Sequence, residues 1–449
     1  MTTAQKSSKR GKMVNGFDPA NADNLDTRTR AFVERRSRLL GPAYRLFYSN
    51  PVEFSRANGV FMYDSEGNEY LDAYNNVVSV GHCHPHVNAA IARQMDVMCT
   101  HTRYMQDGIL DFAEMLLATF EPEIEHVMFT CTGSEANDLA LRMAKHHTGN
   151  QGIIVTSEAY HGNSELTAGF SPSMGENSPL GTWVRRVPAP DTYRVDTADM
   201  GEWLAARVQE QIDDLHRRGQ GLAAFVADTL FTSDGIFPQN ANMLKPVIDV
   251  VHNAGGVFVA DEVQCGFART GTHMWGYQRH GVVPDIVSLG KPMGNGYPVA
   301  GIAIRPEVAA RFGHDMRYFN TFGGNTVAMA AAKATLEVIQ NEGLQANCNR
   351  VGSVMLEGLR DIAARHSGIG DVRGTGLYMG VEMVKDPETK VPDSPRALAL
   401  VNKMREQRIL ISATAFNANV LKIRPHLTFS EDNATRFLTG FEDALKAVS

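Results

Sequence analysis

Short apolar runs alternate with helix-like segments through the middle of this chain, and that alternation constrains the fold more than any other feature. "HVMFT", "GIIVT", "LAAFVAD", "GGVFVADEV", "DIVSLG" and "VAGIAI" are strand-length, mostly rich in β-branched residues and bounded by Gly, Pro or Asp. Between the first two, "GSEANDLALRMAKHHTG" carries Leu139, Ala140, Met143 and Ala144 on one helical face before a closing glycine. Residues 200–218 and 243–254 show the same periodicity. Strands that are apolar on both faces and joined by helices imply an α/β domain with a mostly parallel sheet covered on both sides.

The last third changes character. "TVAMAAAKATLEVIQ" has no Gly or Pro between Thr326 and Glu342, which predicts one long helix leading into a second, smaller domain. "GTGLYMGVEMV" and "NVLKIRPHLTF" read as strands of a smaller sheet. "SEDNATRFLTGFEDALKAV" reads as a closing helix, capped by Ser430 or Asn433. The expected division is an opening segment (1–58) packing with the small domain, a large domain (59–330) and a small C-terminal domain (331–449). A chain of 449 residues has ample material for such a core.

A net charge of −7 gives no support to nucleic-acid partners or to an anionic membrane, and no apolar run approaches a membrane span. The basic opening, with Lys6, Lys9, Arg10 and Lys12, has no apolar segment after it and reads as a solvated tail. Five scattered cysteines without a CxxC pair argue for a reducing cytoplasm, against disulfides and against structural zinc. In "HCHPH", His82, His84 and His86 fall near one another on an extended loop. Pro85 interrupts them and no acid follows at ligand spacing, so a turn is expected there and no metal.

Ligands of such sheets sit at the carboxyl ends of the strands. After "GGVFVA" come Asp261, Glu262, Val263 and Gln264; after "DIVSLG" comes Lys291; after "HVMFTC" come Thr132, Gly133, Ser134 and Glu135; after "GIIVTSEA" come Tyr160, His161 and Gly162. Singly, these read as a helix cap, a solvated charge, a turn and a core aromatic, and GKP is not the GK[ST] of a phosphate loop. Together they fit pyridoxal phosphate. That cofactor takes a lysine amine as a Schiff base, an acid at its pyridine nitrogen, and helix N-terminal N–H groups at its phosphate. Its ring wants an aromatic on one face and an apolar side chain on the other, for which Tyr160 and Val263 are candidates.

The set "TGSEAND", "AYHG", "DEVQCGFARTG", "GKPMGNGYPVAG" and "TFGGN", from about Leu40 to the C-terminus, resembles the class III aminotransferase family of pyridoxal-phosphate enzymes, fold type I. That fold has a large, mixed, mostly parallel seven-stranded sheet domain and a small α+β domain built from both termini. The resemblance implies Lys291 as the Schiff-base lysine and Asp261 as partner of the pyridine nitrogen. It implies Val263 and Tyr160 on the two ring faces, Gln264 near the phenolic oxygen, and Gly133 and Ser134 on the phosphate. It also implies Thr321, reaching the phosphate from a neighbouring subunit. The enzyme would then be a homodimer, or a tetramer of two paired dimers, with its active site at the subunit interface.

"YNNVVSVGHCHPHV", "PAPDTYR" and "GKPMGNGYPVA" resemble most the branch of phospho-lyases acting on ethanolamine phosphate and phosphohydroxylysine. The expected reaction is elimination of phosphate from a phosphorylated primary amine, with ethanolamine phosphate giving acetaldehyde, ammonia and phosphate. The alternative is an ω-aminotransferase passing an amino group to a keto acid. A lyase needs a second anion seat, and Arg424 is the candidate, against an ion pair between domains. Tyr44, Asn76, His82 and Arg103 are further candidates, since the opening segment and the "NNV" loop line the entrance in this family.

Overall fold

The computed structural model describes residues 13–238 and 241–448; the basic stretch through Lys12 falls outside them. The large sheet has seven strands: β1 (His126–Thr130), β2 (Gly152–Thr156), β3 (Val184–Val187), β4 (Leu222–Ala227), β5 (Val257–Asp261), β6 (Ile286–Leu289) and β7 (Ala300–Ile304). They lie in the order β1-β7-β6-β5-β4-β2-β3. Neighbours among β2 to β6 pair in parallel. β2, β4 and β5 are buried at every position, as expected for strands covered on both faces.

One strand runs the other way: β7 pairs antiparallel with both β1 and β6. The cause is the connection. β6 and β7 are joined by the short turn that carries Lys291, without the crossover helix that a parallel pair requires. Between β1 and β2, the helix Gly133–Thr148 starts where the Thr132 side chain accepts the Glu135 N–H. It ends at Gly149, whose φ of 71° only glycine adopts without strain. Leu139, Ala140, Met143 and Ala144 are its buried face.

Two smaller sheets flank this body. Ile369–Thr375, Tyr378–Met383, Val420–Ile423 and Ser412–Thr414 form one, antiparallel throughout. The other takes Phe54–Asn58, Phe61–Asp64 and Glu69–Asp72 from the start of the chain and Ile409–Leu410 from near its end. The same ends meet where Tyr48 donates to the Ile411 carbonyl at 3.1 Å and the Ser49 N–H donates to Asn402 at 2.8 Å. The helix Thr326–Asn341 is capped by Asn325. The closing helix Glu431–Ala447 is capped by Ser430, whose hydroxyl accepts the Asn433 N–H. Among the described residues, no helix is long and apolar enough to cross a membrane.

Candidate active site

The carboxyl ends of β1, β2, β5 and β6 converge on one edge of the large sheet, and glycines let them come close. A side chain at Gly162 would lie 2.7 Å from the Ser134 hydroxyl, and one at Gly133 would lie 3.1 Å from both γ-carbons of Val263. Gly290 packs on the same Val263 and on Gly133. The backbone is therefore drawn in around a small space, with little steric room lost to the protein itself.

At the end of β6, Lys291 opens a short turn of 3₁₀ helix with φ of 27°, a conformation residues with side chains rarely adopt. Its ammonium has no hydrogen bond or ion pair among the described residues. Burial and the charge of Arg424 lower its pKa from the ordinary lysine value, with Asp261 opposing them. Asn295 holds this turn in place: its amide accepts the Val80 N–H at 3.1 Å and donates to the Gly81 carbonyl at 2.9 Å. The "PMGNG" turn is thus tied to the "NNVVSVGH" loop.

Asp261 ends β5, and its carboxylate is buried. Oδ2 faces His161 Nδ1 at 2.7 Å and accepts from Asn137 Nδ2 at 2.9 Å, while Oδ1 accepts the Val263 N–H at 3.1 Å. Burial alone would raise its pKa, but the hydrogen bond and charge of His161, with Lys291 and Asn137, hold it below the usual carboxylate value. His161 stacks on Phe170 with centroids 5.3 Å apart and Asn137 also donates to the His161 carbonyl, so both partners of the acid are themselves held in place. Sequence reasoning gave no role to His161 or Asn137. Both sit inside the quoted motifs, His161 directly after Tyr160 and Asn137 within "TGSEAND".

The phosphate-type cradle is the start of the helix Gly133–Thr148. The backbone N–H groups of Gly133 and Ser134 have no acceptor among the described residues, so two donors and the positive end of a helix dipole are available. Ser134 Oγ also bonds Asn163. Glu135 orders this start by accepting the Cys131 N–H at 2.7 Å. Tyr160 is exposed beside the buried His161, close enough for the Asp261 charge to raise its pKa together with burial, and Val263, two residues after Asp261 and buried, packs against Gly133.

Gln264 is more engaged than expected. Its Nε2 donates to Thr232 at 2.6 Å, and its Oε1 receives Arg424 Nη1 at 2.6 Å, the Tyr378 hydroxyl at 3.1 Å and Lys422 Nζ at 3.3 Å. Arg424 is buried, donates through Nε to the Tyr74 carbonyl at 2.8 Å and packs over the Tyr74 ring at 4.5 Å. It has no carboxylate partner among the described residues, so the ion pair between domains is not what the structure shows. Lys422 was not singled out from the sequence, although the period-two spacing in "LKIRP" sends it to the same side as Arg424.

The other candidates are dispersed. Asn76 is buried and donates to the Gln264 carbonyl at 3.1 Å, leaving its own Oδ1 without a partner among the described residues. Tyr44 is exposed. Arg103 lies over the Phe319 ring at 3.7 Å. Thr321 is exposed between Phe319 and Phe322. The three histidines of "HCHPH" do not converge as expected: His84 pairs with Glu342 and His86 with Glu337, each on the helical region beyond Thr326. His82 instead meets Asp72 at 3.0 Å, with His426 at 3.3 Å from the same oxygen, and the three ligating atoms lie within 4.8 Å of one another. The acid absent from its sequence neighbourhood comes from another strand.

Comparison with known proteins decides the family. The family model for aminotransferase class-III matches residues 47–445. This chain belongs to the class III aminotransferase family. It is 40% identical over 431 residues to an alanine–glyoxylate aminotransferase 2-like protein of Drosophila melanogaster, covering 93% of this chain and 87% of that one. It is 37% identical over 448 residues to ethanolamine-phosphate phospho-lyase homolog 1 of Caenorhabditis elegans, covering 95% and 96%. Among solved structures, a phospholyase from Arthrobacter in complex with phosphoethanolamine superposes with a TM-score of 0.90 at 38% identity, covering 93% of this chain and 99% of that one. The class III chain is therefore a pyridoxal-phosphate-dependent enzyme with the type I α/β fold. Its residues fit the cofactor: a buried acid held below the usual carboxylate pKa, a lysine after the neighbouring strand and two helix N–H groups that all lack partners among the described residues, and glycines that let these segments approach closely.

Proposed function

We propose that this class III enzyme is a phospho-lyase that eliminates phosphate from a phosphorylated primary amine, with ethanolamine phosphate as the substrate. The observation that carries this reading is Arg424, a buried guanidinium near Lys291 that has a neutral amide, and no carboxylate among the described residues, as its side-chain partner. Buried charges are costly unless paired, so an unpaired one beside a reactive lysine suits an anion arriving with the substrate. This seat is separate from the Gly133–Ser134 cradle, which leaves one anion site for cofactor and one for substrate. The phospho-lyase relative and the phospholyase seen with phosphoethanolamine support the same choice.

Pyridoxal phosphate, when bound, supplies the electron sink that makes the substrate carbon bearing nitrogen acidic. The protein's own part follows from its groups. Gly133 and Ser134 hold the cofactor's phosphate, Tyr160 and Val263 its two faces, and Asp261 keeps its ring nitrogen protonated. Gln264 is the candidate contact to its phenolic oxygen. Lys291, whose proton affinity is already lowered, takes the proton from the substrate carbon. Arg424 holds the substrate's phosphoryl group bidentately. Asn76, buried and bonded to the Gln264 carbonyl, is a further substrate candidate, with Tyr44, His82 and Arg103 beside it.

We also propose a homodimer, with a tetramer of two paired dimers open to it. Tyr104, Met105, Leu110, Phe319 and Phe322 are exposed apolar side chains, more than a lone soluble surface needs to carry in these segments. Thr321 lies among the last of them, which suits a residue that reaches a partner's cofactor. A reducing cytoplasm suits the five free cysteines.

The relative named as an alanine–glyoxylate aminotransferase 2-like protein favours a second reading, transfer of an amino group to a keto acid. One assay separates the two. Incubated with phosphoethanolamine and no keto acid, a phospho-lyase releases inorganic phosphate over many turnovers. Turnover that appears only when pyruvate or 2-oxoglutarate is added would establish the aminotransferase instead.

A further inference from the structure

The site contains a second lysine that none of these roles uses. Lys422 Nζ and Arg424 Nη1 both reach Gln264 Oε1, at 3.3 and 2.6 Å, and the Tyr378 hydroxyl donates to that oxygen as well. A carbonyl oxygen has two lone pairs, so one neutral atom faces three donors, among them a guanidinium and a lysine amine. Both basic side chains are buried, and neither has an ion pair with a carboxylate among the described residues. Burial and the charge of Arg424, with Lys291 adding to them, press the proton affinity of Lys422 well below that of an ordinary lysine. Asp228 pulls the other way.

Elimination from a phosphate ester poses a proton problem. A dianionic ester that loses its C–O bond unaided expels phosphate as a trianion, a poor leaving group. A proton delivered to the bridging oxygen as the bond breaks removes that obstacle. Resting on the phospho-lyase reading above, we propose that Lys422 is this proton donor, seated with Arg424 against the substrate's phosphoryl group. The step balances. Lys291 takes the proton from the carbon bearing nitrogen, and that C–H pair becomes the new C=C bond. The C–O pair goes to the bridging oxygen, which collects the Lys422 proton, and phosphate leaves as HPO₄²⁻. The N–H pair stays on Lys422 as a neutral amine. The arriving dianion favours the charged lysine, and the departing phosphate favours the neutral one, so the pocket cycles with its ligand.

The role separates from simple anion binding by changing the leaving group. Sulfate and chloride depart unprotonated, so ethanolamine O-sulfate and 2-chloroethylamine serve as probes on the cofactor-loaded enzyme. Lys422→Arg keeps a cation but is too weak an acid to give up its proton. It should bind inorganic phosphate by calorimetry within about threefold of wild type and keep its KM for phosphoethanolamine. Its kcat with phosphoethanolamine should fall by roughly 100-fold or more, while its kcat with the two probes changes little. Lys422→Met should lose phosphate binding as well. Equal losses with all three substrates, or no loss with phosphoethanolamine, would overturn the role of Lys422 while wild-type phosphate release still stood. A wild-type enzyme that releases no phosphate from phosphoethanolamine overturns the elimination reading itself, and this step with it.

Discussion

His161 and Asp261 meet in the interior of the large sheet's edge, imidazole Nδ1 to carboxylate Oδ2 at 2.7 Å, with no part of the His161 ring open to solvent. That contact is the strongest of those that keep a buried acid ionised. Replacing His161 by Gln removes it and lets burial push the Asp261 pKa upward. Activity should then fall away at a higher pH on the acid side than in wild type. Cofactor retention on dialysis should weaken by about 10- to 100-fold, the cost of one hydrogen bond to a charged group.

Lys291→Ala should bind the cofactor without a covalent link, seen as loss of its absorbance band in the wild-type position. Phosphate release and any transamination should both drop by about 10²- to 10⁴-fold or more. Multiple turnovers at the wild-type rate would remove Lys291 from the reaction.

Arg424→Met should raise KM for phosphoethanolamine by about 10- to 100-fold, since it loses a charge-assisted, two-point contact. The same change removes a charge that lowers the proton affinity of Lys291. The acid limb of the rate profile should therefore move to higher pH. An unaltered KM would return Arg424 to a purely structural position between Tyr74 and Gln264.

Phe322→Asp puts a charge into the exposed apolar segment around Thr321 and should dissociate the proposed dimer, as read by sedimentation. Activity should follow the dimer fraction as concentration is raised. Thr321→Val should leave the dimer intact and cost cofactor affinity by only about 2- to 10-fold, one neutral hydrogen bond.

The cluster of Asp72, His82 and His426 ties three separate chain segments together, and it makes an acid-dependent contribution to stability. Burial would raise the pKa of Asp72, but hydrogen bonds and charge from His426 and His82 lower it well beneath its ordinary 3.8. A depressed acid stabilises the fold above its unfolded pKa and loses that effect as pH falls toward the folded one. Wild type should therefore lose urea resistance as pH falls below about 4, where the unfolded acid takes up its proton and the folded one does not. Asp72→Asn should be less stable at neutral pH, by about 3–5 kcal/mol for a broken buried pair, and flatter across the acid range.

Strand-end chemistry was legible because each element of it sits within a few residues of an apolar run. Asp261, Lys291, Gly133 and Tyr160 need only the knowledge that those runs end on one edge of a sheet. Contacts made across sheets were not legible. Gln264 meets Lys422 and Arg424 because Val420–Ile423 pairs with Tyr378–Met383, and nothing local in "LKIRPHL" specifies that register. His82 shows the same limit, since Asp72 and His426 reach it from two other parts of the chain. The reversal of β7 follows from the length of one connection, while the residues of "VAGIAI" suit either direction equally.

The pairing of Ile409–Leu410 with Leu71 and Asp72 has a consequence for how the protein is made. The sheet begun at Phe54–Asn58 cannot be completed until Ile409–Leu410, far along the chain, has been translated. Through most of synthesis, Glu69–Asp72 presents an open edge, the kind of surface that seeks other strands. Production in cells should depend on holding chaperones more than the stability of the folded enzyme suggests, and slower translation between Asp72 and Ile409 should lower the soluble yield.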